Sequence, residues 1–375
     1  MTIKKENIYA IALTFIKGLG PVLYKALIDR FGYAEHVFRA SSLAVPLVGK
    51  LLENLQNEEK ALLIRAEKLL IAHKKKGIKI ISYGSKAYPK RLAMLHAPPS
   101  LLYCNDSLEI LDDRMVSIVG TRHPSAYGEV VTKRLVEQLK KYNPIIVSGL
   151  AYGIDQVAHE AALVCGLRTI GILGGGIDWI YPASHSKLVD NLIKNKGGII
   201  SEHKLGIRPT IHRFPARNRV IAGLSGATIV VEAPVKSGAM ITAYYANDFN
   251  REVFAVPNHL DAKHAKGCHQ LIKNNYATLI THGDDLAYMM QWSDPKDKGV
   301  SIESSLPSLN SPALTPPQKA FIALLKAQKD YIMTVDALST ALSIEQKHIK
   351  KIALELEIEN VIEISGNQYR LSAFV

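Results

Sequence analysis

In the first 80 residues apolar side chains recur at helical spacing: Ile8, Ile11, Ala12 and Phe15, then Val22, Leu23, Leu27 and Phe31, then Leu62, Leu63, Ala66, Leu69 and Leu70. Steps of three and four put each set on one helix face, which predicts a small all-helical segment over residues 1–77. From Ile78 to about Met290 the pattern changes to short β-rich runs, each followed by a helical stretch. The runs are Ile78–Ser82, Val116–Gly120, Ile145–Ser148, Thr169–Leu173, Gly198–Glu202, Thr228–Glu232, Glu252–Val256 and Ala277–Ile280. Such alternation predicts an α/β domain over residues 78–290, a mostly parallel sheet with helices on both faces. Asp294–Leu314 is rich in Ser, Pro and charge and has no period, so residues 291–316 read as a linker. Helical patterns at Gln318–Ala327, Val335–Leu342 and Ile344–Glu359 follow. The β-like runs Val361–Ile364 and Gln368–Leu371 then flank a Gly366-Asn367 turn, which predicts a winged helix over residues 317–375.

A chain of 375 residues with 47% hydrophobic side chains can form two or three cores, which excludes disorder throughout. The net charge of +12 favours a polyanionic partner. Its distribution says more. Residues 1–80 hold 14 Lys/Arg against 7 Asp/Glu, residues 81–316 hold 25 against 20, and residues 317–375 hold 7 against 7. The third predicted helix of the tail carries Lys347, Lys350 and Lys351 but also Glu345, Glu355, Glu357 and Glu359, so the tail is a poor primary nucleic-acid anchor. Cys104, Cys165 and Cys268 are scattered and odd in number, which fits a reducing, cytoplasmic setting. No apolar run reaches the ~18 residues of a membrane span, and no cleavage site follows the N-terminal apolar stretch.

Candidate chemistry lies at the predicted strand ends, where ligands of such folds bind. Gly120-Thr121-Arg122 leaves one strand just before a helix that begins near Ser125, so a guanidinium and a helix N-terminus share a crevice suited to phosphate. The next strand ends in Ser148-Gly149, and Asp155 falls in the first turn of the helix beyond, where it suits the helix dipole. Lys187 occupies a first turn, a position unfavourable for a cation unless it faces an anion. Phe214-Pro215-Ala216-Arg217-Asn218-Arg219 combines forked phosphate donors, an amide for base edges and a ring for stacking. One arginine is expected to face the crevice and the other to pack over the surface. In the N-terminal segment, Lys17-Gly18-Leu19-Gly20-Pro21 reads either as a structural turn or as a helical hairpin whose glycines admit a phosphate. Lys74-Lys75-Lys76 reads as a solvated helix end.

No GxxxxGK[ST] occurs, no GxGxxG follows a strand, and none of the thirteen histidines stands in HExxH. No cofactor and no metal are therefore expected, and no catalytic triad can be defended from spacing. Six ordered blocks resemble the DNA-processing protein A (DprA/Smf) family: VGTRHPSAYG at 119–128, SGLAYGIDQVAHEAAL at 148–163, TIGILGGGIDWIYPASHSKL at 169–188, GGIISE at 197–202, FPARNRVIAGLSGATIVVEAPVKSGAMITAYYA at 214–246 and REVFAVPN at 251–258. The resemblance implies an extended Rossmann-like domain that binds single-stranded DNA, dimerises and loads the RecA recombinase onto incoming DNA during natural transformation, with no established catalysis. Single-strand-binding protein is a further partner it suggests. The strand would be gripped by Arg122, Ser148, Gly149, Lys187, Arg217, Asn218 and Arg219, with Phe214 beside them; Lys17, Gly18 and Gly20 are a secondary contact on the hairpin reading alone. The chain departs from the family pattern at Asn258 and His269. Two other readings stay open. A phosphoribohydrolase on a related fold would need a PGGxGTxxE loop, which is absent, and a duplex-DNA regulator would work through the tail.

Overall fold

The structure is a computed structural model that describes residues 3–40, 55, 57–109, 114–293, 315–328, 332–358 and 361–371. The predicted linker falls almost wholly outside the described residues. The chain forms two compact units, residues 1–292 and 293–375.

In the first unit, α1 (Ile3–Leu13), α2 (Pro21–Phe31), α3 (Ala34–Arg39) and α4 (Glu59–Lys74) carry the helical periodicity read from the sequence. Their apolar faces join β1 (Ile78–Ser82) in one hydrophobic cluster that includes Ile11, Leu27, Phe38 and Ile80. The α1–α2 turn uses Gly18 at a φ of 88°, and Pro21 opens α2 where its missing N–H costs nothing.

The sheet contains β1, β2 (Leu101–Asn105), β3 (Met115–Val119), β4 (Ile145–Ser148), β5 (Thr169–Leu173), β6 (Gly198–Ser201), β7 (Ala227–Val230), β8 (Glu252–Ala255) and β9 (Thr278–Leu279). Their order is β1-β2-β6-β5-β4-β3-β7-β8-β9. From β6 to β9 every neighbouring pair is parallel, and β1 and β2 add an antiparallel edge. The strands β2 to β7 are buried along their whole length, as a sheet covered on both faces requires. Beyond a single helical turn at Lys90–Ala93, the helices are α5 (Ala126–Leu139), α6 (Ile154–Val164), α7 (Ser186–Lys194), α8 (Arg213–Leu224), α9 (Gly238–Asp248), α10 (Lys266–Lys273) and α11 (Gly283–Met289). The chain steps from β3 to β6 in one direction, then returns to place β7 on the other side of β3. That reversal between the adjacent strands β3 and β7 is the switch point at which loops diverge and leave a crevice.

One buried histidine makes this unit acid-sensitive. His159 in α6 is fully enclosed, with its Nδ1 2.6 Å from Thr169 Oγ1. The Thr169 hydroxyl donates its proton to Ile146 O, so His159 must donate from Nδ1, which leaves Nε2 as a buried acceptor without a partner. Burial, with His185 and Arg217 nearby, depresses its pKa from 6.5 to about 3. Because the folded value lies below the unfolded one, the stability contributed by the neutral ring is complete above pH 6.5. It is lost as pH falls from 6.5 toward 3. Melting temperatures measured from pH 7 to pH 4 should fall across this window, less steeply in His159→Gln; equal slopes would exclude His159 as the cause.

The second unit contains α12 (Pro316–Lys326), α13 (Val335–Leu342) and α14 (Gln346–Ile358). It also contains a three-stranded antiparallel sheet of β10 (Ile332–Thr334), β12 (Gln368–Leu371) and β11 (Ile362–Ser365), in that order. Phe321, Leu338, Ile349, Leu356 and Tyr369 form its core. Thr315 and Gln318 close a capping box at the start of α12. Lys347, Lys350 and Lys351 are exposed on α14. Glu359 lies outside the described residues.

Candidate nucleic-acid interface

A cavity of about 880 Å³ opens at the switch point. Its walls come from the end of β3 (Gly120, Thr121, Arg122), the turn into α6 (Ala151, Asp155), the loop before α8 (Pro209 to Ile211), α8 itself (Phe214, Arg217, Asn218) and the start of α9 (Ser237 to Ala239, Ile241 and Thr242). A smaller depression shares Arg122, Tyr181, Phe214 and Arg217 and adds Gly149, Tyr152 and Pro182. The β3 and β4 turns meet so closely that a Cβ on Gly153, which sits at a φ of 78°, would fall 2.3 Å from Thr121 O. Only glycine holds that geometry.

Arg122 is exposed, and no carboxylate pairs with it among the described residues. Its guanidinium lies 6.0 Å from the centroid of the Phe214 ring, which in turn packs 5.3 Å from Tyr181. This puts a cation and two aromatic faces on one rim. The N-terminus of α5 behind Arg122 is already filled. Glu232, buried after β7, accepts from Ser125 N–H at 2.9 Å and from the Ser125 hydroxyl, so the sequence expectation of an open phosphate seat there is corrected. The chain's own carboxylate complements the dipole.

Arg217 faces the crevice as a wall rather than a free donor. Its Nη1 donates to Gly149 O at 2.7 Å and to Ile172 O, and its Nε donates to Asn218 Oδ1 at 3.2 Å. Beside it Asp155 accepts from Gly149 N–H at 3.0 Å and Ala151 N–H at 3.4 Å. A Cβ on Gly149 would sit 2.6 Å from Arg217 Nη2 and 2.7 Å from Asp155 Oδ2, so a glycine is needed between the two charges. Burial pushes the Arg217 guanidinium down to about 10, and burial raises the Asp155 carboxyl against the pull of Arg217. Asp155 therefore does more than complement a helix dipole.

The other residues singled out from the sequence scatter. Asn218 donates to Gly238 O at 3.0 Å and accepts from Arg217, so both ends of its amide are engaged. Arg219 turns away from the cavity to Glu202 and Ala97 O. Ser148 is buried and donates to Ile118 O. Lys187 is exposed on the first turn of α7 and is absent from the cavity wall. Lys17 and Gly20 are exposed at the α1–α2 turn. The two departures from the family pattern meet each other: His269 Nε2 lies 3.0 Å from Asn258 O, and Asn258 Nδ2 donates to Glu232 at 3.2 Å. Together they complete the partners of the buried carboxylate.

Sequence reasoning did not select Tyr152, Trp179 or Tyr181. Trp179 and Tyr181, two aromatic residues following the Gly174-Gly175-Gly176 turn, carried the available signal.

Comparison with known proteins gives one consistent answer. The family described as DNA recombination-mediator protein A matches residues 79–291. Protein Smf of Synechocystis is 39% identical over 290 residues, covering 75% of this chain and 72% of that protein. The DNA processing protein DprA of Bacillus subtilis is 39% identical over 233 residues, covering 62% and 78%. The X-ray structure of DprA from Streptococcus pneumoniae superposes with a TM-score of 0.60 at 30% identity, over 78% of this chain and 99% of that one.

Proposed function

This chain belongs to the DNA recombination-mediator protein A family, and we propose that its switch-point cavity binds single-stranded DNA without regard to sequence. The observation that carries the reading is Arg122 over Phe214, an unpaired cation and a ring at the mouth of a cavity large enough for bases. A phosphate meets the cation and a base meets the ring, which is how sequence-tolerant single-strand sites work. In the full reading a cytoplasmic homodimer takes up strands shared with single-strand-binding protein and loads RecA onto them during natural transformation. Lys187 and the Gly149 turn then contact the strand beyond the rim. The reading is non-catalytic: the carboxylate in the cavity wall, Asp155, already accepts from two backbone N–H groups and faces the Arg217 guanidinium across Gly149.

Titration of fluorescent oligo-dT, with a duplex of equal length as competitor, tests the first step. Single strands should win, and log K should fall with log salt by about 0.7 per neutralised phosphate. Preference for duplex would favour a regulator acting through the tail, and release of free base from nucleoside monophosphates would favour a hydrolase; either result overturns the proposal. On strands already coated with single-strand-binding protein, addition of this protein should speed RecA filament formation.

A further inference from the structure

We propose that the cavity continues into a track of paired cations and aromatic rings that carries single-stranded DNA across the 203–211 loop to the N-terminal hairpin at Phe15. This rests on the single-strand reading above and extends it to a second stretch of the same strand. Beyond Arg122 and Phe214, the Arg208 guanidinium lies 4.9 Å from the Trp179 ring centroid. Farther on, Lys204 Nζ and the Arg65 guanidinium lie 5.9 Å and 4.1 Å from the centroid of Phe15. Each station repeats one chemistry, a cation for a phosphate and a ring for a base.

The loop makes the stations continuous. Pro209, Thr210 and Ile211 line the cavity, so Arg208 stands at its edge and Lys204 at the far end of the same segment. The backbone between them is fixed at three points. Leu205 N–H donates to His73 Nε2 on α4 at 3.1 Å, Gly206 N–H donates to the Asp178 carboxylate at 3.1 Å, and Gly176 N–H donates to Ile207 O at 2.7 Å. His73 Nδ1 is 2.8 Å from Leu69 O, so the ring is neutral with its proton on Nδ1, and burial lowers its pKa in keeping with that state. The cations are thus presented from a braced loop.

Charge and exposure support a ligand here rather than an internal network. Arg65 and Arg208 are exposed, and none of Arg65, Lys204 and Arg208 has a carboxylate partner among the described residues. The nearby acid, Asp178, is occupied by Gly206 N–H. Trp179 keeps 38% of its surface exposed. Lys17, exposed two residues beyond Phe15, lies at the end of the track, which gives the hairpin of Gly18 and Gly20 a place on the strand path.

The test is a length series of oligo-dT titrated with the full chain. Wild-type affinity should rise in a step once the oligonucleotide outgrows the cavity. The triple variant Arg65→Gln, Lys204→Gln, Arg208→Gln should bind the shortest oligonucleotide like wild type, lose about tenfold or more on the longest, and show a salt slope shallower there by about 2 for three lost phosphate contacts. Trp179→Ala should also weaken only the long oligonucleotides, with the slope unchanged. If the triple variant keeps wild-type affinity and slope on the longest strand, the track is wrong and the cavity reading stands. If wild type binds no oligonucleotide of any length, both readings fall together.

Discussion

Replacing Arg217 with methionine should cost about 3–5 kcal/mol of folding stability, as expected when one partner of a buried charge pair is removed. The side chain is 8% exposed. Its guanidinium supplies the donors for Gly149 O and Ile172 O, and it is the cation facing Asp155. Without it two carbonyls at the ends of β4 and β5 lose their donor, and a buried carboxylate loses its counter-charge. Asp155 would still accept from Gly149 and Ala151, so part of the cost should return in the Arg217→Met, Asp155→Asn double variant. Chemical denaturation of the four proteins gives the coupling energy directly. A single variant within about 1 kcal/mol of wild type would show that Arg217 is dispensable to the wall. It would then be free to act on a ligand. The pair matters to function through geometry, because it sets the β4 turn against α8 and holds open the cavity that Arg122 overlooks.

The same pair shows where sequence reading stops. Residues two apart on a helix point about 200° apart, so Arg217 and Arg219 could not both face one crevice, and the split between wall and surface was legible. Which arginine went where was not, because the deciding acids, Asp155 and Glu202, come from α6 and the end of β6, far away in the chain. The parallel strands were legible to within about two residues because each β-rich run is followed by a helix. Strand β2 escaped because Leu101–Asn105 follows Pro98-Pro99 and no helix stands between it and β3 among the described residues, so the alternation that marked the others was missing. The filled N-terminus of α5 was equally hidden. Glu232 lies 107 residues beyond Ser125 in the chain, and only the pairing of β3 with β7 brings them together. Arg122 could be read because its signal is local, a strand end, a glycine and a helix start in one short segment.

That locality makes Arg122 and Phe214 the sharpest test of the interface. Arg122→Ala should weaken oligo-dT binding by about 1.5–3 kcal/mol, the worth of a charge-assisted contact, or roughly ten- to 150-fold. It should also make the salt slope shallower by about 0.7, since one phosphate loses its partner. Phe214→Ala should cost a comparable 1–3 kcal/mol, about what stacking contributes per base, and leave the slope alone because no ion is released. The two substitutions thus separate the two halves of the contact. Arg122 is exposed and unpaired, so its loss should leave the melting temperature near that of wild type; Phe214 packs on Tyr181, so a modest drop is expected there. Binding measured at several salt concentrations, alongside melting curves, reads affinity, slope and stability for each variant. If both variants fold and still bind oligo-dT with wild-type affinity and slope, the strand does not enter this cavity. If Phe214→Ala flattens the slope as much as Arg122→Ala, the ring's part is to position the guanidinium, and base stacking must be sought at Tyr181 instead.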